Sequence, residues 1–345
     1  NLLDLMKTGA RRPRTVVDIT RLPDLSEIEP LADGGMRIGA LVRNATLAAD
    51  RAFAAAYPAV AEALLSGASG QLRNMATLGG NLLQETRCPY YADPASACNR
   101  RSPGSGCGAR GGETRLHAVL GWSDACIATH PSDLCVPLAA LDAVVELRGP
   151  LGSREVSFAR FHRLPGEEPH RGTEMAPGEL VVAVRLQAAA RGFAGHARYL
   201  KVRERSSYAF AVVSATAMLR LDGGRITQAR IALGGVAARP WRAEAAEAAL
   251  AGEAAGDDVF RRAGELALAD ARPSGENAFK IELARRAVTR ALMLAAAGTP
   301  ARMPALPASP FASTTGAPLH GCRPPHPRDG QPAARLEDRP ADAPP

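Results

Sequence analysis

The chain has 345 residues, enough for two or three ordinary domains, each with its own core. Its 42 basic against 35 acidic residues give a net charge of +7, yet only Lys7, Lys201 and Lys280 are lysines and aromatic residues make up 4% of the chain. With neither a clustered basic stripe nor a base-stacking platform, the composition counts against nucleic-acid binding, and no apolar run of about 18 residues is present to span a membrane.

The opening NLLDLMKTGARRPRTVVDIT is neither a signal peptide nor a methionine start; it begins inside a hydrophobic segment, and N-terminal residues are expected to be missing. From Arg14 to Thr46, β-like runs (TVVDIT, MRIGALV) alternate with turns such as ADGG at 32–35, the pattern of strands joined by hairpins. Thr46 then opens a helical stretch, TLAADRAFAAAYPAVAEALLSG, with Thr46 or Asp50 as candidate caps and Pro58 as a break. Glycine is dense in GASGQLRNMATLGGNLLQ (67–84), and the glycines and Pro103 that follow predict a loop from 86 to about 115. AALDAVVELRG (139–149) and ELVVAVRL (179–186) read as a helix end and two strands.

A second unit begins near Gly192 and alternates polar and apolar residues about a DGG turn at 222–224, a hairpin signal. Helices are predicted over 242–251, 257–271 and 277–298, the last with Ile281, Ala284, Val288, Ala291 and Leu292 at helical spacing and Gly298 as its stop. Strands followed by helices, segregated in this way, indicate an α+β domain. The tail from Thr299 to Pro345 holds 12 of the 27 prolines, lacks periodicity and is expected to be disordered.

Five of the six cysteines fall between Cys88 and Cys135, and Cys322 stands alone in the tail. The intervening lengths are 9 residues from Cys88 to Cys98, 8 to Cys107, 18 to Cys126 and 8 to Cys135, so the short pairs usual for zinc are absent. An iron-sulfur cluster takes four thiolates and tolerates wide, glycine-rich loops, and Arg87, Arg100, Arg101 and Arg110 would offset its negative charge. Spacing alone leaves three readings open: a cluster, a zinc site, and structural or free thiols. The TLGGN segment at 77–81 is either a tight turn or a place where backbone amides approach a pyrophosphate, and it is not the GxGxxG of a Rossmann site.

In combination, the blocks NLLDLMK, RIGALVRNATL, QLRNMATLGGNLLQ, HPSDLCVPLAALDA, ELVVAVRL, YLKVRERSSYAFAVVSA and ARIALGGVA, in that order over residues 1 to 298, resemble the flavoprotein subunit of the xanthine dehydrogenase family of molybdenum hydroxylases. The stretch TRCPYY, CNRRSPGSGCGA, RLHAVLG, CIATHPSDLC and FHRLPG looks most like the flavin and iron-sulfur subunit of bacterial three-subunit aldehyde oxidoreductases. It is also similar to the flavin subunit of 4-hydroxybenzoyl-CoA reductases, whose cysteine insert carries a [4Fe-4S] cluster.

The resemblance implies an α+β fold: a two-part FAD-binding domain over 1–186, N-terminally truncated, with a cluster-binding insert at about 86–126, then a C-terminal α+β domain over 187–298 with an antiparallel sheet on helices. It implies that FAD contacts Thr77, Leu78, Gly79, Gly80 and Asn81, the remnant Asn1 and Leu2 of a second glycine-rich loop, Asp133 as an acidic contact, Val181 packing near the flavin and Lys201 beside its ring. It implies Cys88, Cys98, Cys107 and Cys126 as ligands of a [4Fe-4S] cluster, with Cys135 a buried core thiol. The implied partners are a large subunit bearing molybdopterin, where an aldehyde or heterocycle is oxidised, a small subunit with two [2Fe-2S] clusters, and an external electron acceptor. Such complexes assemble in the cytoplasm, and some are carried folded to the periplasm by a twin-arginine signal on the small subunit. The rivals are a 4-hydroxybenzoyl-CoA reductase or xanthine dehydrogenase subunit and, in another class, a non-catalytic zinc-binding scaffold.

Overall fold

The computed structural model describes residues 1–301; the proline-rich segment from 302 onward, with Cys322, lies outside the described residues. Strands β1 (Ile28–Pro30) and β2 (Met36–Gly39) flank a turn in which Asp33 Oδ1 accepts the Gly35 N–H at 2.8 Å. Strands β3 (Val144–Gly149) and β4 (Gly152–Ser157) form a hairpin, and β5 (Leu180–Leu186) lies between β2 and β3. The resulting sheet has the order β1-β2-β5-β3-β4 and every pairing is antiparallel. Alternation sends Ile38, Val145, Leu147, Val184 and Leu186 inward, where they join Leu64 and Val136 from helices Pro58–Ser66 and Cys135–Ala140 in one core.

The expected helical stretch is cut into Asn44–Ala49, Arg51–Ala56 and Pro58–Ser66. Asp50 leaves helical geometry at ψ 115° and its side chain accepts the Phe53 N–H at 2.7 Å, a cap that contributes about 1 kcal/mol. Pro58 is at the first helical position, where its missing N–H costs nothing. Thr46 sits inside the first of these helices and does not cap it. TVVDIT is not a strand: Val16 and Val17 are exposed, and among the described residues no neighbouring strand supplies the ladder their side chains suggested.

The second sheet has the order β6-β7-β8-β9, with β6 (Ala197–Val202), β7 (Val213–Asp222), β8 (Arg225–Gly234) and β9 (Trp241–Arg242) all antiparallel. Its β7–β8 turn puts Gly223 at φ +53° and Gly224 at φ +83°, the left-handed pair that matches strand twist and that glycine adopts without steric cost. Helices Glu244–Leu250, Asp257–Ala267 and Phe279–Ala296 bury Leu250, Phe260, Val288 and Leu292 against Leu219, Ile231 and Leu233. The last helix stops before Gly298 at φ +98°, and Thr299, read as the start of a disordered tail, is held by its N–H to Gly195 O at 2.8 Å and its Oγ1 to Ala197.

The two sheets meet where β6 lies on helix Pro58–Ser66. Buried Glu62 accepts the Arg198 guanidinium at 2.9 Å and the Tyr199 N–H at 2.8 Å, and Lys201 and Arg203 both reach Ser66 O.

Candidate functional site

Thr77 caps the short helix Leu78–Leu82, its Oγ1 accepting the Gly80 N–H at 3.2 Å. Backbone bonds from Leu78 to Val42 O (3.0 Å) and from Gly79 to Ala40 O (2.8 Å) lay this turn against the end of β2. Glycine suits position 79, since a Cβ there would stand 3.1 Å from both the Cβ and the carbonyl oxygen of Ala40, tighter than such contacts ordinarily are. Gly80 faces outward, and the exposed side chains of Leu72, Met75 and Leu83 flank the turn in sequence. Buried Asn81 donates from Nδ2 to Asn44 Oδ1 at 2.8 Å and to Thr77 O at 2.7 Å, so its amide nitrogen is committed to holding the turn. Asn1 Oδ1 accepts the Glu85 N–H at 2.9 Å, and Leu2 opens the helix Leu2–Lys7.

Asp133 precedes helix Cys135–Ala140 in the first sheet's half, while Lys201 lies on β6 in the second. They meet at 2.7 Å with their side chains only 10% and 4% exposed. Tyr199 donates its hydroxyl to the other carboxylate oxygen at 2.6 Å, and burial with the Asp133 charge holds that phenol well above its usual pKa, keeping it a neutral donor. A Cβ on Gly67 would lie 3.4 Å from Asp133 Oδ2. Cys135 Sγ reaches Asn81 O at 3.7 Å, linking the Asp133 loop to the glycine turn. An ionised carboxylate is acceptor-only with about four lone-pair sites, so Asp133 retains capacity for further donors after these two bonds. Val181, paired with Leu147 in β5, is buried in the first core.

Residues leaving the glycine turn run directly into the cysteine segment. Cys88, Cys98, Cys107 and Cys126 line a single small pocket, with Tyr90, Tyr91, Asn99, Arg100 and Ile127 among its walls. The loop read as irregular is tightly bonded: Cys98 and Cys107 are partners in an antiparallel bridge, Asn99 N–H reaches Gly106 O at 2.7 Å, and Gly108 N–H reaches Ala97 O at 2.8 Å. Asn99 Nδ2 ties this ribbon to Ala125 O beside Cys126. Arg101 donates to the carbonyls of Tyr90, Tyr91 and Ser96, and Glu85 is shared between Arg11 and Arg100 at 3.0 Å each. All five described cysteines are unpaired thiols. Burial pushes Cys88 up to about 12 and raises Cys126. Sulfurs around a tetrahedral zinc are about 3.8 Å apart at a Zn–S bond of about 2.3 Å, whereas among the described residues no three of these four thiols all lie within 4.8 Å of one another.

Sequence reasoning missed His117 and Lys280. His117 places Nε2 at 3.2 Å from Cys88 Sγ, and Lys280, wholly buried, donates to the carbonyls of Leu116 (3.1 Å), His117 (2.8 Å) and Gly235 (2.7 Å). Burial pushes Lys280 down to about 7, while the three carbonyls favour the ammonium, which alone has three protons to give. A signal for it existed, because Lys280 shares the buried face of its helix with Ala284, Ala287 and Ala291. A third cluster, His130, Cys135 and His162, gathers ligand-type atoms within 4.8 Å. His162 Nε2 is 2.8 Å from Leu82 O and burial lowers its pKa to about 4; His130, against it at a ring distance of 4.4 Å, is lowered well below its usual value by burial and by His162. Ser132 N–H donates to His130 Nδ1, which puts the proton of the neutral ring on Nε2 and removes that nitrogen as a metal ligand.

Comparison with known proteins places this geometry. Residues 1–187 match the model of the FAD binding domain in molybdopterin dehydrogenase, and residues 198–295 match the CO dehydrogenase flavoprotein C-terminal domain. The chain is 50% identical over 295 residues to the aldehyde oxidoreductase FAD-binding subunit PaoB of Escherichia coli (strain K12), covering 85% of this chain and 88% of that one. It is 27% identical to the carbon monoxide dehydrogenase medium chain of Afipia carboxidovorans, over 84% of this chain and 86% of the relative. Among solved structures, the Cu,Mo-CO dehydrogenase superposes with a TM-score of 0.66 at 26% identity, covering 86% of this chain and 87% of that one. Quinoline 2-oxidoreductase from Pseudomonas putida 86 superposes with a TM-score of 0.64 at 26% identity, covering 86% of each chain. With the family model spanning more than half of its length and a relative at 50% identity, the chain belongs to the family of FAD-binding flavoprotein subunits of the molybdopterin-dependent dehydrogenases.

Proposed function

We propose that this chain is the flavin and iron-sulfur subunit of a molybdenum-dependent aldehyde oxidoreductase, with FAD held between the glycine turn and the Asp133–Lys201 pair and a [4Fe-4S] cluster held by Cys88, Cys98, Cys107 and Cys126. In this reading residues 1–186 are the FAD-binding domain, with the cluster insert at about 86–126, and 187–298 are the C-terminal domain. The observation that carries it is the convergence of four unpaired thiols on one cavity in a chain of this family. The donor set fits: four soft thiols spaced more widely than one tetrahedral zinc requires suit a bulky cluster bound by wide loops.

The flavin side fits as well. Outward-facing Gly80 puts no side chain between the turn and an approaching cofactor, and Asp133 has lone pairs left for cofactor hydroxyls. Lys201 supplies a fixed cation beside a flavin ring, where it stabilises added negative charge, and Val181 is read as the apolar residue packing near the flavin. When bound, FAD supplies the two-electron to one-electron redox chemistry, and the protein's task is to hold it in place and tune it. No residue of this chain acts on the organic substrate. That work falls to a molybdopterin-bearing large subunit, whose electrons pass through a [2Fe-2S] small subunit to this chain's FAD and on to an external acceptor.

The test is FAD, iron and acid-labile sulfide per chain, measured on this chain after anaerobic co-expression with its partner subunits and separation from them. About one FAD with about four iron and four sulfide is the expected result. Zinc in place of iron would overturn the cluster assignment, and absence of FAD would overturn the flavin site.

A further inference from the structure

We infer that His117 is a positioning residue of the four-cysteine site: its Nε2–H donates to the sulfur of Cys88 and, through that sulfur, sets the electron affinity of the bound cluster. The inference rests on the cluster reading proposed above. Three observations converge on it.

The first is geometric. His117 Nε2 lies 3.2 Å from Cys88 Sγ, yet His117 is not among the residues lining the cavity that the four sulfurs share. The ring thus touches one of the four cysteines without itself lining their cavity, which leaves the four-thiol set complete. A cluster-bound sulfur is a thiolate and can only accept, so the nitrogen facing it carries the proton. Donors to cluster sulfurs are one of the terms that set the reduction potential, because they withdraw charge from the sulfur and favour the more reduced, more negative state.

The second is what holds the ring there. The His117 N–H donates to Thr114 O at 2.9 Å, and its carbonyl accepts from Lys280 Nζ at 2.8 Å and from Asn277 Nδ2 at 3.0 Å. Lys280 and Asn277 are both wholly buried and belong to the C-terminal half, so the donor is fixed by the opposite side of the molecule. Asn277 also reaches Ala118 O, and Glu276 N–H reaches Thr114 Oγ1 at 2.7 Å, which pins both flanks of the His117 segment.

The third is an expense with no other return. His117 is 5% exposed and its Nδ1 has no hydrogen-bond partner among the described residues. A buried unpaired ring nitrogen calls for an explanation, and the Nε2 contact to Cys88 supplies one.

The experiment compares wild-type complex with His117→Leu and His117→Gln complexes, purified anaerobically, by redox titration of the [4Fe-4S] signal in low-temperature electron paramagnetic resonance. Expected are unchanged iron and sulfide, a midpoint shifted to more negative potential in His117→Leu, and recovery toward wild type in His117→Gln, which keeps a donor. An unchanged midpoint in His117→Leu with the cluster present overturns the role of His117 alone. Because His117→Leu is able to fail in assembly, the wild type is also prepared with 15N-histidine. A weak nitrogen coupling to the reduced cluster supports the hydrogen bond, a strong one makes His117 a direct ligand and overturns the inference, and no coupling overturns it as well. If the wild type carries no [4Fe-4S] signal, the cluster reading itself falls, and this inference with it.

Discussion

At the candidate flavin seat, Asp133 already meets Lys201 at 2.7 Å and Tyr199 at 2.6 Å, and Asn81 is bonded to Asn44 and Thr77. Around the cysteine cavity, a few residues along the same stretch of chain, the four functional side chains are soft thiols, and burial pushes Cys88 up to about 12. One seat is electrostatically complete on its own. The other, in the cluster reading proposed above, would become so only when a metal group converts thiols into thiolates, so that binding there would be coupled to proton release and to the folding of the insert.

The largest effect expected from this contrast is on the cysteine side. Cys107→Ser should take cluster iron from about four per chain to near zero and make the 86–126 segment cleavable in limited proteolysis, while FAD content is retained. Loss of FAD together with iron would show that the two seats are not independent. The next effect is on the flavin side. Lys201→Met strands a buried carboxylate and should cost about 3–5 kcal/mol in denaturant unfolding, with the cluster intact, and the double variant with Asp133→Leu should recover part of that loss. An unaltered midpoint for Lys201→Met would mean that the pair is not the preorganised element described here.

The smallest effect lies at the boundary between the seats. His162 is pushed down to about 4 by burial, with Arg100 and Arg239 adding to the shift, and buried His130 moves in the same direction. Between about pH 4 and 6.5 the unfolded chain holds protons on these rings that the folded chain does not, so stability rises with pH across that window and falls on acidification. For His162 the loss approaches about 3 kcal/mol by pH 4, readable as a shift of the urea midpoint between pH 7 and pH 4.5. A flat midpoint over that range would mean that the rings open to water before they titrate.

The sequence-legible features were those written in local chemistry. The DGG turn, the break at Pro58, the Asp50 cap and the long helix ending near Gly298 each follow from one residue's backbone preference, and each is present. Features that depend on a distant partner were not legible. TVVDIT has the composition of a strand but no neighbour to pair with among the described residues, whereas β4, in which only Val156 faces inward, has a partner in β3 and little apolar pattern to announce it. The cysteines illustrate the same limit. Their intervals left a cluster, a zinc site and free thiols all open, and their convergence depends on the Cys98–Cys107 bridge and on Asn99 reaching Ala125, neither of which has a spacing signature. His117 and Lys280 are 163 positions apart and could be paired only in three dimensions.

The Lys280 anchor also imposes an order in time. Cys126 leaves the ribosome well before Lys280, and at about 5–20 residues per second the interval between them is roughly 8 to 30 s. Throughout that interval the carbonyls of Leu116 and His117 lack the ammonium that later fixes them. All four thiols are therefore synthesised, and open to metal or to oxidation, before the clamp that closes the insert onto the second half of the molecule exists.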